Sequence, residues 1–208
     1  MAIADDLIGQ FDRALKTLAG GVLPRRPNPA AALVHSELSS AEAEHAAGLM
    51  RVNHTGEICA QALYEGQALT ARDRATRTAL EAAAQEESDH LAWCQQRLEE
   101  LGSRPSLLNP AFYALSYAMG AVTGLLGDKV SLGFVEATED QVCRHLERHL
   151  QSLPEDDVRS REIVQHMHED EARHGADAIA AGGVAYPQPI RQVMALLSKV
   201  MTETTYRV

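Results

Sequence analysis

The chain has 208 residues, enough for one domain with a sizeable core. Alanine is abundant, aromatics make up only 4% and β-branched runs are scarce, so an all-α protein is expected. The formal net charge of −10 argues against nucleic acid, which would require a basic patch.

The N-terminus, with Asp5 and Asp6, has neither the basic region nor the apolar run of a secretory signal. Ile3, Leu7, Ile8, Phe11, Leu15 and Leu18 pattern an amphipathic helix ending at Gly20-Gly21. Pro24, Pro27 and Pro29 make residues 22–38 an extended connection, so residues 1–38 read as an appendage to a bundle over 39–208. Ser39 with Glu42 forms a capping box for a helix running to about residue 71. Asp73 caps the next, which ends near Leu101 with Gly102 in the stop position. Residues 105–127 carry no formal charge, and Asn109-Pro110 supplies a cap and first turn within them. Pro154 with Glu155, Asp156 and Asp157 starts another helix, where acidic groups suit the positive end of the dipole. Gly182-Gly183 ends it. Pro187 and Pro189 then introduce a last amphipathic helix over 189–204, bearing Ile190, Val193, Met194, Leu197, Val200 and Met201.

Two Glu-x-x-His pairs, Glu87/His90 and Glu171/His174, stand out. Residues at i and i+3 lie within about 60° of each other on a helix, one turn apart, so both can reach one metal ion. Each pair lies on an apolar stripe: Leu80, Ala83, Leu91, Cys94 and Leu98 around the first, Val164, Met167, Ala178 and Ala181 around the second. Each is preceded by a helix with a lone glutamate on its own stripe, Glu57 or Glu139, and the interval Glu57–Glu87 nearly equals Glu139–Glu171. The chain therefore looks duplicated, with one crossover joining two helix pairs. Four carboxylates and two imidazoles on four helices are the ligand set of a carboxylate-bridged two-metal centre. Burying an ionised carboxylate costs several kcal/mol or more, a penalty that bound cations remove. A third copy, Glu42/His45, has no partner and reads as a solvated first turn. Glu136 competes with Glu139 but falls off the stripe, so Glu139 is preferred. The ligand histidines each need an acceptor on the other nitrogen, with His54 and His145 as candidates. His149, His166 and His168 read as surface or rim, and Arg51 as a group offsetting the site's charge or positioning substrate. Cys59, Cys94 and Cys143 fall on three helices without metal-type spacing, which suggests reduced thiols in a cytosolic setting. Cys94 and Cys143 are expected to line the core.

By length residues 105–127 could span a bilayer, but prolines, glycines and hydroxyls dilute them, and a span would separate the two halves of the site. Two readings stay open: a crossover buried against the bundle, and one that also dips into the membrane interface. Gly120 and Gly124, four apart, permit close helix packing. Leu125 and Leu126 are among the groups available for insertion.

The strings Arg51-Val-Asn-His-Thr-Gly-Glu57, Gln85-Glu-Glu-Ser-Asp-His90, Gly127-Asp-Lys-Val-Ser-Leu-Gly-Phe-Val135 leading to Glu139, and Glu171-Ala-Arg-His174 together resemble the demethoxyubiquinone hydroxylase family of ubiquinone biosynthesis, over about residues 40–208. The resemblance implies a ferritin-like four-helix bundle with one long crossover and extra N- and C-terminal amphipathic helices. It makes Glu57 and Glu139 terminal ligands, Glu87 and Glu171 bridges between two iron ions, and His90 and His174 the completion of one iron each. The implied reaction is hydroxylation of a demethoxyubiquinol ring by O2, with the second oxygen atom leaving as water. It also implies a peripheral enzyme on the inner, cytoplasmic face of the cell membrane, taking a polyprenyl quinol. An oligomer or another ubiquinone-biosynthesis protein would be a further partner. No Gly-x-Gly-x-x-Gly follows a strand, so the electron donor stays open: NADH directly, a reductase, or the quinol. Two other classes compete. A radical generator of the ribonucleotide-reductase type would use Tyr64, but the chain is short for it. A ferritin-like iron-oxidising or peroxide-scavenging protein would not need the uncharged segment, and no Cys-x-x-Cys is present for a rubrerythrin-type module.

Overall fold

A computed structural model of the chain describes residues 2–208, apart from the side chains of residues 2–8 and Gln10. Helices α1 (Ala2–Ala19), α2 (Ser40–Thr70), α3 (Arg74–Glu100), α4 (Asn109–Leu125), α5 (Asp128–Ser152), α6 (Val158–Ala180) and α7 (Gln188–Thr205) are the regular elements, with no strand among the described residues. Short turns make α2/α3 and α5/α6 antiparallel hairpins, and contacts of α3 with α6 and α2 with α5 close them into one bundle. This is the ferritin-like arrangement, with α4 as the crossover.

Local chemistry sets the ends. The Ser39 hydroxyl accepts from Glu42 N (3.3 Å) while Ser39 N donates to Glu42 Oε2 (2.9 Å), completing the expected box. Asp73 Oδ2 accepts from Thr76 N at 2.9 Å, and Gly102 follows α3 at φ 67°, the left-handed conformation that glycine adopts without a Cβ penalty. Two expected starts are corrected. Leu108, not Asn109, occupies the cap of α4, because the Asn109 side chain turns inward and accepts from Thr55 Oγ1 (2.8 Å). Pro154, Glu155 and Asp156 precede α6 rather than begin it; Asp157 is its cap, accepting from Ser160 N at 3.0 Å. The last helix is one residue longer at each end than expected.

Two apolar clusters bracket the middle of the bundle. Met50, Cys94, Leu98, Leu146, Ile163 and Met167 pack toward one end. Tyr64, Leu80, Leu132, Val135 and Ala178 pack toward the other. The four bundle helices are thus greasy above and below a shared level at which their ligand candidates fall. Cys94 is buried as expected, whereas Cys59 and Cys143 are half-buried; all three thiols are free.

The crossover lies along α2. A Cβ on Gly66 would collide with the Tyr117 carbonyl, and one on Gly120 with the Leu63 carbonyl, so the absence of side chains sets the approach. Tyr113, Thr123 and Gly124 are buried in this contact. The opposite face of α4 stays open to solvent and is wholly apolar: Leu108, Ala111, Leu115, Ala118, Val122 and Leu125 are exposed. On α7, Ile190, Val193, Leu197 and Val200 are also exposed. No helix among the described residues is long and apolar enough to cross a membrane.

On α1, the expected apolar positions Ile3, Leu7 and Ile8 lie outside the described side chains. Leu18 packs on Ile58, Ala62, Leu91 and Tyr113, while Phe11 and Leu15 are exposed. The proline-containing connection after it is fastened across the bundle. Asn28 Nδ2 donates to Gln96 Oε1 of α3 (2.9 Å), and Arg159 Nη1 of α6 donates to the Leu33 carbonyl (2.7 Å). We call residues 20–38 the strap.

Candidate metal centre

Glu57 comes from α2, Glu87 and His90 from α3, Glu139 from α5, and Glu171 and His174 from α6. None of the six is more than 6% exposed. Four carboxylates at this depth are untenable without positive charge beside them.

Their mutual geometry is specific. His90 Nδ1 lies 3.1 Å from Glu87 Oε2 and 3.0 Å from Glu171 Oε1, with Glu57 Oε2 at 3.4 Å. His174 Nδ1 lies 3.2 Å from Glu87 Oε1 and 3.2 Å from Glu171 Oε2. Glu87 and Glu171 therefore each turn one oxygen toward His90 and the other toward His174. Donor atoms of Glu57, Glu87, His90 and Glu171 lie within 4.8 Å of one another, close enough to share one ion. Glu139 stands on the His174 side, where its Cβ packs beside Gly175, and one of its oxygens accepts from the Tyr64 hydroxyl in a short contact.

An imidazole nitrogen has one proton at most and cannot satisfy three carboxylates. Accordingly Glu57 Oε2, Glu87 Oε1, Glu139 Oε2 and Glu171 Oε1 are buried without a hydrogen-bond donor. Orphaned carboxylate oxygens converging with two imidazoles fit divalent cations with mixed oxygen and nitrogen ligands. The electrostatics agree. Burial pushes the Glu57 and Glu139 carboxyls well above the usual range. Burial opposes charge on His174, but Glu171 and Glu87 overcome it and lift the imidazole to about 12. His90 is raised in the same way, against its burial, by Asp170, Glu171, Glu57 and Glu87.

The outer nitrogens are held by acids that the sequence reading missed. His90 Nε2 faces Asp170 Oδ2 at 2.9 Å, and His174 Nε2 faces Glu86 Oε2 at 3.3 Å. Each acid immediately precedes the glutamate of one Glu-x-x-His pair and serves the histidine of the other. Arg173 donates to both, at 2.7 Å to Asp170 Oδ1 and 2.7 Å to Glu86 Oε2. The paired acids in Glu86-Glu87 and Asp170-Glu171 were the available signal.

Residues 44–205 match the family described as Ubiquinone biosynthesis protein COQ7. The chain belongs to that family. It is 58% identical over 206 residues to 3-demethoxyubiquinol 3-hydroxylase of Stutzerimonas stutzeri (strain A1501), covering 99% of this chain and 96% of that protein. The enzyme of the same name from Ralstonia pickettii (strain 12J) is 58% identical over 98% of this chain and 99% of its own length. That from Ectopseudomonas mendocina (strain ymp) is 57% identical, covering 98% and 95%.

Within this family member, several candidates fall away from the centre. His54 is buried against Asn109 Nδ2 (3.4 Å), and burial holds its imidazole down at about 4. His145 is half-buried beside Arg148 and takes no part in holding His90 or His174. His149 is not a rim residue: it is buried and Nδ1 meets Asn53 Oδ1 at 2.7 Å. Arg51 neither offsets the site's charge nor reaches it. Its guanidinium donates to the Tyr206 carbonyl (2.7 Å), the Arg104 carbonyl (3.0 Å) and Ser103 Oγ (2.7 Å), tying the chain end to the α3–α4 connection. The Glu42 carboxylate is taken up by Ser39 N and Oγ, and His45 Nδ1 contacts the Tyr206 hydroxyl at 2.7 Å. Glu136 pairs with Arg191 of α7, away from the buried group.

Proposed function

We propose that this chain is an O2-dependent monooxygenase that hydroxylates the ring of a demethoxyubiquinol, using a pair of iron ions. The observation that carries the reading is the division of Glu87 and Glu171 between His90 and His174, in a member of a ubiquinone-biosynthesis family whose near relatives are named hydroxylases. Glu57, Glu87, Glu171 and His90 would hold one ion; Glu139, Glu87, Glu171 and His174 would hold the other. Iron there would supply O2 activation: one oxygen atom enters the ring, the other leaves as water, and two electrons come from NADH, a reductase or the quinol. The chain's own part is positional. Asp170 and Glu86 accept from the Nε2–H of His90 and His174, which leaves each Nδ1 lone pair free for metal. Tyr64 steadies Glu139 through its hydroxyl. The apolar clusters above and below exclude bulk water, which strengthens every charge interaction at the site.

The test is oxygen uptake by the iron-loaded protein with a demethoxyquinol and reductant under 18O2. Labelled hydroxyquinol should form, with uptake that depends on the quinol. Equal uptake without quinol, and no labelled product, would mean a ferritin-like iron oxidase instead.

We also propose that the substrate is met at the inner face of the cell membrane, through the exposed apolar faces of α4 and α7. A chain at −10 overall is repelled by an anionic leaflet, so attachment must come from apolar area at roughly 25 cal/mol per Å² inserted. Leu125 and Leu126 are 63% and 66% exposed, so charging them costs the fold little. Vesicle binding of the parent protein should persist at high salt. The Leu125→Asp/Leu126→Asp double variant should bind vesicles about tenfold more weakly, a loss of about 1.4 kcal/mol. Its Michaelis constant should rise for a long-tailed quinol more than for a tailless one. Salt-sensitive binding, or equal damage to both substrates, would contradict membrane docking by this face.

A further inference from the structure

The outer nitrogens of the two histidines are held alike by the bundle, and the strap adds to one of them only. On the His174 side, the acid that meets the imidazole, Glu86, is 34% exposed and is held by Arg173 of the bundle itself. On the His90 side the corresponding acid, Asp170, receives a second guanidinium, that of Arg26, from outside the bundle.

Arg26 is fixed at every level. Arg25 N and Arg26 N donate to Asp89 Oδ1 at 2.6 and 3.3 Å, which pins the strap's backbone to the residue preceding His90. Trp93 Nε1 donates to the Arg26 carbonyl at 3.4 Å. The side chain then lies over the Trp93 ring, Cζ to centroid 5.0 Å, with Nε on Asp89 Oδ2 at 2.8 Å and Nη1 on Asp170 Oδ2 at 2.7 Å. That Asp170 oxygen is the one facing His90 Nε2. Arg26 Nη2 stands 3.4 Å from Nε2 itself. With metal on Nδ1, Nε2 carries its proton toward Asp170, so this last approach is a packing contact between donors. The planar guanidinium is thus a wedge that fills the space beside the ring and holds the acceptor in line. His90 is completely buried, and His174 is not.

We propose that Arg26 is a positioning residue for His90, so that the metal position on the His90 side depends on the N-terminal strap while the position on the His174 side is held by bundle residues alone. The inference rests on the two-ion reading given above. Lysine cannot replace the arginine, because a single ammonium cannot span Asp89 and Asp170 while packing flat on Trp93.

Full-length protein, as parent, Arg26→Lys and Arg26→Gln, is reconstituted with 57Fe and dialysed against an iron buffer. Iron per chain and the Mössbauer spectrum are then read beside far-UV circular dichroism. The parent should hold a pair of ions in two environments. Both variants should stay folded and keep the ion of one environment, while the other ion binds about 10- to 100-fold more weakly. The spectral component of the weakened ion should be lost first as iron is buffered down, and Lys should not rescue it. Retention of both ions with parental affinity and spectrum would overturn the role of Arg26. So would equal weakening of both, which would make the strap a general support. A parent that binds one ion or none would fail differently: the two-ion reading itself would fall. If Arg26→Gln does not fold, Arg26→Lys decides, since it keeps the charge against Asp89.

Discussion

Glu87→Ala and Glu171→Ala should each strip the protein of nearly all bound iron and lower hydroxylation by at least about a hundredfold, the upper end of what outer hydrogen-bond partners of a metal ligand cost. Each of these carboxylates faces both histidine nitrogens, so its removal opens both metal positions at once. Glu57→Ala should act more locally, since the Glu57 carboxylate approaches His90 and no approach to His174 accompanies it. Glu136→Ala should leave most activity, because that carboxylate is spent on Arg191. Glu42→Ala should leave iron content untouched and cost only the carboxylate's half of the capping box, its bonds from Ser39 N and Oγ. Iron analysis on folded protein, checked by circular dichroism, reads all five. Equal iron loss from Glu42→Ala and Glu171→Ala would put the ligands elsewhere.

A pair of glycine substitutions should shift stability in opposite directions. Gly56 and Gly120 both lie inside helices, where alanine is favoured over glycine by about 1 kcal/mol. A Cβ on Gly56 meets nothing within 4 Å, so Gly56→Ala should raise the melting temperature. A Cβ on Gly120 would run into the Leu63 carbonyl, which belongs to helix backbone and cannot swing aside. With a contact this close to backbone, forcing α4 off α2 carries the upper end of the usual overpacking penalty, about 3 kcal/mol, of which the helix preference offsets about 1 kcal/mol. For a chain of this size each kcal/mol moves the midpoint by about 2–4 °C, so a net loss of about 2 kcal/mol should make Gly120→Ala melt lower by about 4–8 °C. Thermal unfolding followed by circular dichroism decides. A Gly120→Ala protein as stable as Gly56→Ala would mean that α4 is not seated as described.

What could be read from the chain beforehand was what local pattern encodes. Periodicity placed Glu57, Glu87, His90, Glu139, Glu171 and His174 on inward stripes, and the structure buries all six at one level. The Ser39–Glu42 box and the Asp73 cap are contacts between residues three apart, so they too were legible. Asn109 was misread because its side chain has a better use: Thr55, distant in sequence, offers a buried donor that outcompetes the local cap. Asp170 and Glu86 were missed because charged residues next to a ligand look like solvated positions. Only the closeness of α3 and α6 gives each one a partner across the bundle. Arg26 was beyond reach for the same reason, magnified by a strap without periodicity. The uncharged crossover had two readings, and its two faces satisfy different halves of them. One face is packed on α2; the other is open and greasy.

The crossed arrangement of Asp170 with His90 and Glu86 with His174 has a consequence for how such a centre can be divided. Neither helical hairpin is half a site. Each carries the buttress for its counterpart's imidazole and lacks one for its own, so a lone hairpin would hold a ligand aimed at nothing and an acid facing water. Two copies of one hairpin, docked face to face, would satisfy every exchange. Around its buried carboxylates and imidazoles this single chain has the pattern of a homodimer with its protomers tied together, the crossover being the knot and the strap a feature that belongs to one twin alone.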